Sequence, residues 1–265
     1  MGALPGRRLL SARVPDPASG PVSGPDPFDV ERYRGATSRR VVVRQCPRPL
    51  LVLGSTQPES VLDRDGLDRA GVSVARRRTG GGAVLLGPAD PLWLDLWVSR
   101  DDPLWHDDAA RAAIWVGDWW SAALGQVGFG PTEVARAALP LDEVGRSVCF
   151  AGLGAGEVQR DGRKVVGVAQ WRAKQGVLVH CAAYRRWSPE PLLDLLTWKD
   201  ADRESTSRRL LEAAVGFDGA DAPVSRGELT LALLDSLPAG EWDVSVELAT
   251  APGLATRPVA RGPTT

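Results

Sequence analysis

Residues 76–84 read Arg-Arg-Arg-Thr-Gly-Gly-Gly-Ala-Val, and this stretch gives the first indication of the fold. Consecutive glycines let a backbone approach a ligand closely and turn its N–H groups toward an anion, while arginines add permanent positive charge. The stretch is neither a Walker loop nor a dinucleotide fingerprint, because no Gly-Lys-[Ser/Thr] follows and the GxGxxG spacing is absent. An isolated run of glycines is more often a plain turn than an anion-binding loop, so its neighbours must decide.

Short apolar runs flank this loop on both sides and predict strands that alternate with amphipathic helices. A capping-box spacing, Ser225 followed by Glu228, marks the start of one helix, and Asp161-Gly162 is a hairpin turn pair. Strands are predicted at 41–43, 50–53 (after a turn), 72–75, 92–98, 158–168 (broken by the hairpin turn) and 176–184, and helices at 60–70, 107–127, 192–196, 204–214 and 229–237.

This order of elements predicts an α+β fold, a largely antiparallel sheet flanked by helices. Residues 1–28 are expected to form a flexible leader, because their Pro, Gly, Ser and Asp show no apolar periodicity. Residues 29–238 would then form one folded core. A C-terminal strand and a disordered tail are expected within 239–265.

Composition excludes several classes of function. The 265 residues carry a formal net charge of −1, so no excess of positive charge is available for nucleic acid or an anionic membrane. No apolar run approaches the roughly 20 residues of a membrane helix, and no secretory signal is apparent, so a cytoplasmic location is expected. Cys46, Cys149 and Cys181 are too few and odd in number for a disulfide framework, and no metal-binding spacing occurs around His106 or His180.

Two residues are candidates for chemistry. Lys164 is conspicuous because 29 of the 32 basic residues are arginine, and an ammonium can stabilise negative charge that develops on a carbonyl oxygen. An exposed turn lysine is the plainer interpretation. Cys149 is either an acyl-accepting thiolate or a packed core residue. His180 and Cys181 should not act as a pair, because adjacent residues of a strand point to opposite faces.

Taken in order, four motifs resemble the catalytic domain shared by lipoate-protein ligase A and the octanoyltransferases, which is distantly related to biotin ligases. The resemblance covers roughly residues 41–235. The motifs are Gly54 with Gln57, the loop Arg76–Val84, the lysine motif Gly162–Arg172, and the strand Gly176–His180.

The resemblance implies that the glycine loop and the lysine hairpin enclose an acyl chain and its activated carboxyl. Lys164 would contact the acyl carbonyl, and the apolar surface near Trp93 or Trp97 would accommodate the chain. The residues implied in acyl or adenylate binding are Gly54, Gln57, Arg76, Arg77, Thr79, Gly80, Gly81, Gly82, Ala83, Gly167, Ala169 and His180.

Two routes exist within the family. Octanoyltransferases take the acyl chain from acyl carrier protein as a cysteine thioester, whereas the ligases use ATP and Mg to form an acyl-adenylate. Cys149-Phe150 stands fifteen residues before Lys164, as in one group of octanoyltransferases, where the ligases tend to have Asn-Asp. Those octanoyltransferases usually read GGRAV, however, and Gly82 gives the ligase-like GGGAV. The sequence slightly favours the thioester on Cys149.

The implied acceptor is a lysine of a lipoyl carrier domain or of glycine cleavage protein H. No tightly bound cofactor is expected: lipoate or an octanoyl group is the substrate, with ATP and Mg required only by a ligase. A non-catalytic acyl-binding protein is a further alternative, and a biotin ligase a weaker one, because its GRGRxGR loop is absent. Cys181 replaces a family glycine, which predicts either a narrowed pocket or a packing substitution.

Overall fold

Two sheets and six helices make up the computed structural model, which describes residues 28–33, 35–198, 202–218 and 223–249. The strands are β1 Arg39–Gln45, β2 Leu50–Leu53, β3 Ser73–Arg76, β4 Val84–Leu86, β5 Leu92–Ser99, β6 Glu133–Val134, β7 Val158–Arg160, β8 Arg163–Arg172, β9 Gly176–Ala183 and β10 Trp242–Leu248. The helices are α1 Arg64–Ala70, α2 Ala109–Gln126, α3 Glu143–Ser147, α4 Glu190–Leu195, α5 Arg203–Ala213 and α6 Arg226–Asp235.

The large sheet has the strand order β10-β1-β5-β9-β8-β7-β6, and the small sheet has the order β3-β2-β4. Among the strands of the described residues, β1 pairs parallel with β10 and β2 with β3, while the other strand pairs are antiparallel, so the predicted α+β fold with a largely antiparallel sheet is confirmed. The consecutive strands β1 and β2 lie in different sheets. Pro47 and Pro49 between them lack backbone N–H groups, which disfavours a tight hairpin.

Both faces of the large sheet are buried. One face packs on α2 and α6, and Leu94, Leu96 and Cys181 lie in that core. The other face carries Trp93 and Ala182, which share a core with the small sheet. The sequence predicted one apolar face for β5, but seven of its eight residues are buried, because each face has its own covering layer.

Local signals explain several element ends. The Asp108 side chain accepts from the Arg111 N–H and caps α2, and both bonds of the predicted capping box form at the start of α6. Asp161 and Gly162 have φ values of 52° and 72°, as a two-residue hairpin requires. The short elements β4, β6 and α3 were not predicted, because each spans five residues or fewer and shows no periodicity.

The first described residues pack against the face of the large sheet that carries Trp93. Phe28, the last residue of the expected leader, is buried edge-on against Trp93, and Tyr33 stacks on Trp97. The rest of the expected leader and the expected tail from residue 250 lie outside the described residues, whereas the expected C-terminal strand is β10. Within the described ranges, no helix combines the length and the apolar character that a bilayer crossing demands.

Candidate functional site

Three backbone segments meet where the glycine loop lies. A Cβ atom on Gly54 would stand 1.9 Å from the Gly81 carbonyl oxygen, and one on Gly82 would stand 2.6 Å from the Cys149 nitrogen. The Ala83 N–H donates to the Ser147 carbonyl at 2.8 Å, and the Cys149 N–H donates to the Ala83 carbonyl at 3.1 Å. The close approach therefore requires glycine at 54 and 82 and fixes the Cys149 backbone beside the loop.

Arg77 is a buried residue that stabilises the glycine loop. Arg77 is 1% exposed, and its guanidinium donates to the Thr79 hydroxyl and to the carbonyls of Val52, Gly80 and Gly82. Four of its five N–H donors are thus used within the protein itself, although the sequence suggested charge for an anion. A role for Arg77 in acyl or adenylate binding stays a prediction.

Arg76 and Gln57 stabilise the segment that follows β2 by hydrogen bonds. Arg76 donates to the carbonyls of Gly54 and Gln57 at 2.8 and 2.6 Å. The Gln57 side chain accepts from the Gly54 N–H at 3.0 Å and donates to the Ser147 carbonyl at 3.0 Å. Gln57 therefore links the first motif to the residues that precede Cys149.

Lys164 and Cys149, the two candidates for chemistry, lie together. The Lys164 Nζ donates to the Cys149 carbonyl at 2.7 Å and to the Gly152 carbonyl at 3.2 Å, and it forms an ion pair with Glu157 at 2.7 Å. Its distance to the Cys149 Sγ is 4.0 Å. The Lys164 side chain is 3% exposed, so its charge acts on the sulfur through a medium with little water to screen it.

A bulge in β8 is what brings Lys164 to this face. Val158 pairs with Val166 but the next residue, Gln159, pairs with Lys164, so Val165 is an extra residue. Val165 and Val166 both enter the core beneath the helices. Regular alternation would have pointed Lys164 the same way as Val166, and the extra residue reverses it.

Glu157 was not singled out from the sequence. Besides pairing with Lys164, it accepts from the N–H groups of Gly154 and Val168 at 2.7 and 3.1 Å. A weak signal was present, because Glu157 closes a glycine-rich segment directly before β7. Nothing in that signal, however, indicated that its partner is a lysine on the next strand.

Two adjoining spaces meet at Cys149. The outer cavity has a volume of about 310 Å³ and contains Gly81, Leu139, Cys149, Glu157, Lys164 and Gln170 in its wall. The inner pocket, about 10 Å³, is lined by Arg77, Val84, Trp93, Cys149, Phe150, Gly167, Val168, Ala169, His180, Cys181 and Ala182. Trp93, but not Trp97, therefore borders the space next to the cysteine.

A charged cluster lies behind the inner pocket, and the sequence did not predict it. His180 Nδ1 lies 2.6 Å from one Asp95 oxygen, which also accepts from the Trp93 indole N–H at 2.7 Å. The other Asp95 oxygen accepts from Arg44 Nε at 2.7 Å. Burial alone would raise the pKa of Asp95, but Arg44 and His180 hold it well below its usual range.

The three cysteines, all free, differ in setting. Cys149 is partly exposed, whereas Cys46 and Cys181 are buried. Cys181 lies in the core between the large sheet and the helices, together with Trp120, and it also borders the inner pocket, so the packing substitution and the narrowed pocket both stay predictions. Burial raises the pKa of the Cys46 thiol to about 11 and that of Cys181 still further. Among the described residues, no cluster of three His, Cys, Asp or Glu side chains is placed to hold a metal ion.

Comparison with known sequences supports the family resemblance. The family model described as the lipoyl protein ligase A/B catalytic domain matches residues 31–216. Octanoyltransferase LipM of Exiguobacterium sp. is 28% identical over 165 residues, which cover 59% of this chain and 58% of that protein. The matched part thus spans less than two thirds of the curated relative. The resemblance drawn from four motifs is confirmed.

Solved structures share the fold. A putative lipoate protein ligase of T. acidophilum, solved with bound lipoic acid, has a TM-score of 0.61 and 21% identity over 85% of this chain and 83% of its own. A lipoate-protein ligase A bound with ATP gives the same TM-score, identity and coverage. P. falciparum LipL1, solved with lipoate, has a TM-score of 0.54 and 14% identity over 78% of this chain and 53% of its own.

Proposed function

Because the chain belongs to the lipoyl protein ligase A/B catalytic domain family, we propose that it transfers an octanoyl or lipoyl group to a lysine of a lipoyl carrier domain. The observation that carries the proposal is the Lys164 ammonium 4.0 Å from the Cys149 sulfur, at the junction of the outer cavity and the apolar inner pocket. The catalytic domain would be residues 29–238, and the three free cysteines are compatible with a reducing, cytoplasmic setting.

The favoured route passes through a thioester on Cys149. The Cys149 thiolate attacks the carbonyl carbon of an acyl thioester on acyl carrier protein, and the carrier leaves as a thiol that takes up the proton lost by Cys149. An ammonium fixed close by stabilises the negative charge that develops on the acyl oxygen during attack. Glu157 and two carbonyls already accept from the three N–H donors of Lys164, so in this arrangement the ammonium acts on that oxygen through its charge.

In the second step, the acceptor lysine replaces the enzyme's sulfur. Its neutral amine attacks the acyl carbon, the C–S bond to Cys149 breaks, and the amine proton returns to the sulfur. The products are an amide on the acceptor and the free Cys149 thiol. The outer cavity is the access route that we assign to the acceptor, a lipoyl domain or glycine cleavage protein H, because Cys149 and Lys164 both line it.

The charge of the outer cavity favours this route over an acyl-adenylate. Lys164 is the one cation among the described residues that line it, and Glu157 offsets that charge. A triphosphate would need more positive charge than this, because apart from Lys164 the backbone of residues 80–82 is the main source of N–H donors in the cavity wall. Gly82, the ligase-like feature of the sequence, has a local explanation, because any side chain there would collide with the Cys149 segment.

Intact mass spectrometry tests the route. Wild type and Cys149→Ala are incubated with octanoyl-acyl carrier protein without ATP, and lipoyl domain is then added. We expect an octanoyl adduct on wild type that is missing from Cys149→Ala and that passes to the lipoyl domain. No adduct, together with ATP-dependent transfer of free lipoate by both proteins, would instead make the chain a ligase with Mg and ATP as co-reactants. No transfer under either condition would leave an acyl-binding protein.

A further inference from the structure

Five consecutive apolar residues are exposed beside the outer cavity. Residues 137–141, here called the apolar segment, read Ala-Ala-Leu-Pro-Leu, and every one of them is exposed. Among the described residues, five large apolar side chains are exposed, and two of them, Leu139 (58%) and Leu141 (43%), belong to this segment. Both also line the outer cavity. Single exposed leucines are ordinary on a protein surface, but a contiguous apolar patch is typical of a binding surface.

The apolar segment is held in place by contacts with the rest of the cavity wall. The Leu139 N–H donates to the Leu153 carbonyl at 2.9 Å, and the Leu141 carbonyl accepts from the Arg146 guanidinium at 2.7 Å. A Cβ atom on Gly152 would stand 2.3 Å from Leu141 Cδ2, so Leu141 occupies the space that the glycine leaves open. The two exposed leucines therefore have a defined position in the wall.

The charged residues that directly flank the apolar segment are paired. Arg136, on one side, lies 3.4 Å from Asp118. Asp142, on the other side, lies 3.0 Å from Arg209. Because each flanking charge is offset by an opposite one, this surface attracts a partner mainly through its apolar side chains.

The protein that must come closest to the apolar segment is the acceptor of the acyl group. In the proposed second step, a lysine amine attacks the acyl carbon bound to the Cys149 sulfur, and a lysine side chain has a stem of only four carbons. The backbone that carries this lysine must therefore reach the mouth of the outer cavity, whose wall contains both Cys149 and the apolar segment. An acyl carrier protein reaches the cysteine through a much longer prosthetic arm, so its own surface can stay farther away.

We propose that the apolar segment is the docking surface for the acceptor domain and that it contacts apolar side chains next to the acceptor lysine. The inference rests on the proposed function, since it takes Cys149 as the carrier of the acyl group. Leu139 and Leu141 select the protein that is modified and do not touch the reacting atoms. A substitution at Leu139 should therefore weaken transfer to the acceptor domain and leave the loading of Cys149 intact.

Separate measurement of the two half-reactions tests the inference. Wild type, Leu139→Gln and the control Leu231→Gln, whose leucine is 63% exposed on α6, are loaded from octanoyl-acyl carrier protein. Each is then mixed with lipoyl domain or with hydroxylamine, a small nucleophile that cleaves thioesters without a docking surface. In Leu139→Gln the KM for lipoyl domain should rise roughly tenfold, while kcat, loading and cleavage by hydroxylamine stay within about twofold of wild type.

The control and the hydroxylamine reaction make the result specific. Leu231→Gln should match wild type in every measurement. An unchanged KM in Leu139→Gln would overturn the inference. So would a loss of loading or of hydroxylamine cleavage as large as the loss with lipoyl domain, because Leu139 would then contact the acyl chain or its donor.

A binding measurement keeps this inference separate from the proposed function. ¹⁵N-labelled lipoyl domain is titrated with Cys149→Ala, with and without the additional substitution Leu139→Gln, and followed by NMR. Signals around the acceptor lysine should shift with Cys149→Ala and much less with the double variant. No shift, or equal shifts with both proteins, would overturn the inference. Absence of a thioester on wild type would refute the proposed route, whereas binding that depends on Leu139 would leave the docking surface standing.

Discussion

On the face of the large sheet beneath α2 and α6, Cys181 lies among valine, leucine and tryptophan side chains, whereas the opposite face holds Asp95, His180 and Lys164. All four residues are buried to a similar degree. The difference is that the second face receives partners from loops and neighbouring strands, including Glu157 and several backbone carbonyls. Buried charge is costly unless it is paired. Its concentration on the face with Asp95, His180 and Lys164 indicates that the chemistry takes place there.

Substitution of Lys164 should produce the largest effect. Lys164→Met removes the cation from the cysteine and leaves Glu157 buried without its partner. We expect acyl transfer to fall by about 100-fold or more and stability to fall by about 3–5 kcal/mol. Transfer is measured by mass spectrometry of the lipoyl domain, and stability by urea unfolding.

The double variant Lys164→Met with Glu157→Gln separates the two effects. Neutralising Glu157 removes the unpaired buried charge, so much of the lost stability should return. Transfer should stay low, because no ammonium faces the acyl oxygen. Recovery of transfer in the double variant would show that Lys164 only balances the charge of Glu157.

Two glycines of the loop offer a matched pair. A Cβ atom on Gly82 would meet the Cys149 and Val148 backbone at 2.6 Å, whereas one on Gly80 would meet nothing within 4 Å. Gly82→Ala should therefore lower the unfolding free energy by about 1–3 kcal/mol and slow acyl transfer by displacing Cys149. Gly80→Ala should leave the unfolding free energy nearly unchanged. Equal losses in the two variants would mean that the loop does not pack on the Cys149 segment.

Reactivity of the cysteines should reproduce the contrast between the two faces. Cys149 is partly exposed at the outer cavity, whereas burial protects Cys46 and Cys181 and raises the pKa of both thiols. With iodoacetamide at pH 8, peptide mapping should find alkylation of Cys149 well before the other two, because the thiolate is the reactive form. Prior treatment with octanoyl-acyl carrier protein should protect Cys149. Modification of Cys181 at a similar rate would contradict the packing seen here.

The sequence predicted most of the scaffold because its signals are local. The Asp161-Gly162 turn and the Ser225–Glu228 capping box each depend on a few neighbouring residues, and both formed as predicted. The family resemblance singled out both Cys149 and Lys164 but left open whether the two residues face each other. Periodicity alone could not have predicted their contact, because the bulge at Val165 reverses the face on which Lys164 lies.

The residues that were missed depend on contacts distant in sequence. Asp95 looked like an ordinary polar residue of an alternating strand, yet its partners Arg44 and His180 are 51 and 85 residues away. Arg77 is a different case, because its partners Gly80 and Gly82 are close in sequence, and its predicted role in acyl or adenylate binding stays a prediction. Register and layer assignment, which decide such contacts, are properties of the whole sheet.

The smallest expected effect is a pH dependence of the protein's stability, which arises from Cys181 on the helix-covered face of the large sheet. Because burial raises the pKa of Cys181, the unfolded chain loses this proton near pH 8.5 while the folded protein keeps it. The stability contributed by the buried neutral thiol is thus fully present below that pH. Above it, stability declines by up to about 1.4 kcal/mol per pH unit.

Cys181→Ala isolates this contribution. At pH 7.5 the variant should be less stable than wild type by about 1 kcal/mol, because a small cavity replaces the sulfur. As pH rises to 9.5 the gap should close, since the variant has no proton to lose at this position. Cys46, whose pKa is raised to about 11, contributes equally to both proteins and cancels. The difference in unfolding free energy between wild type and Cys181→Ala is measured by urea unfolding across this pH range. A constant difference would mean that water reaches Cys181 and that the helix-covered face is more hydrated than its packing indicates.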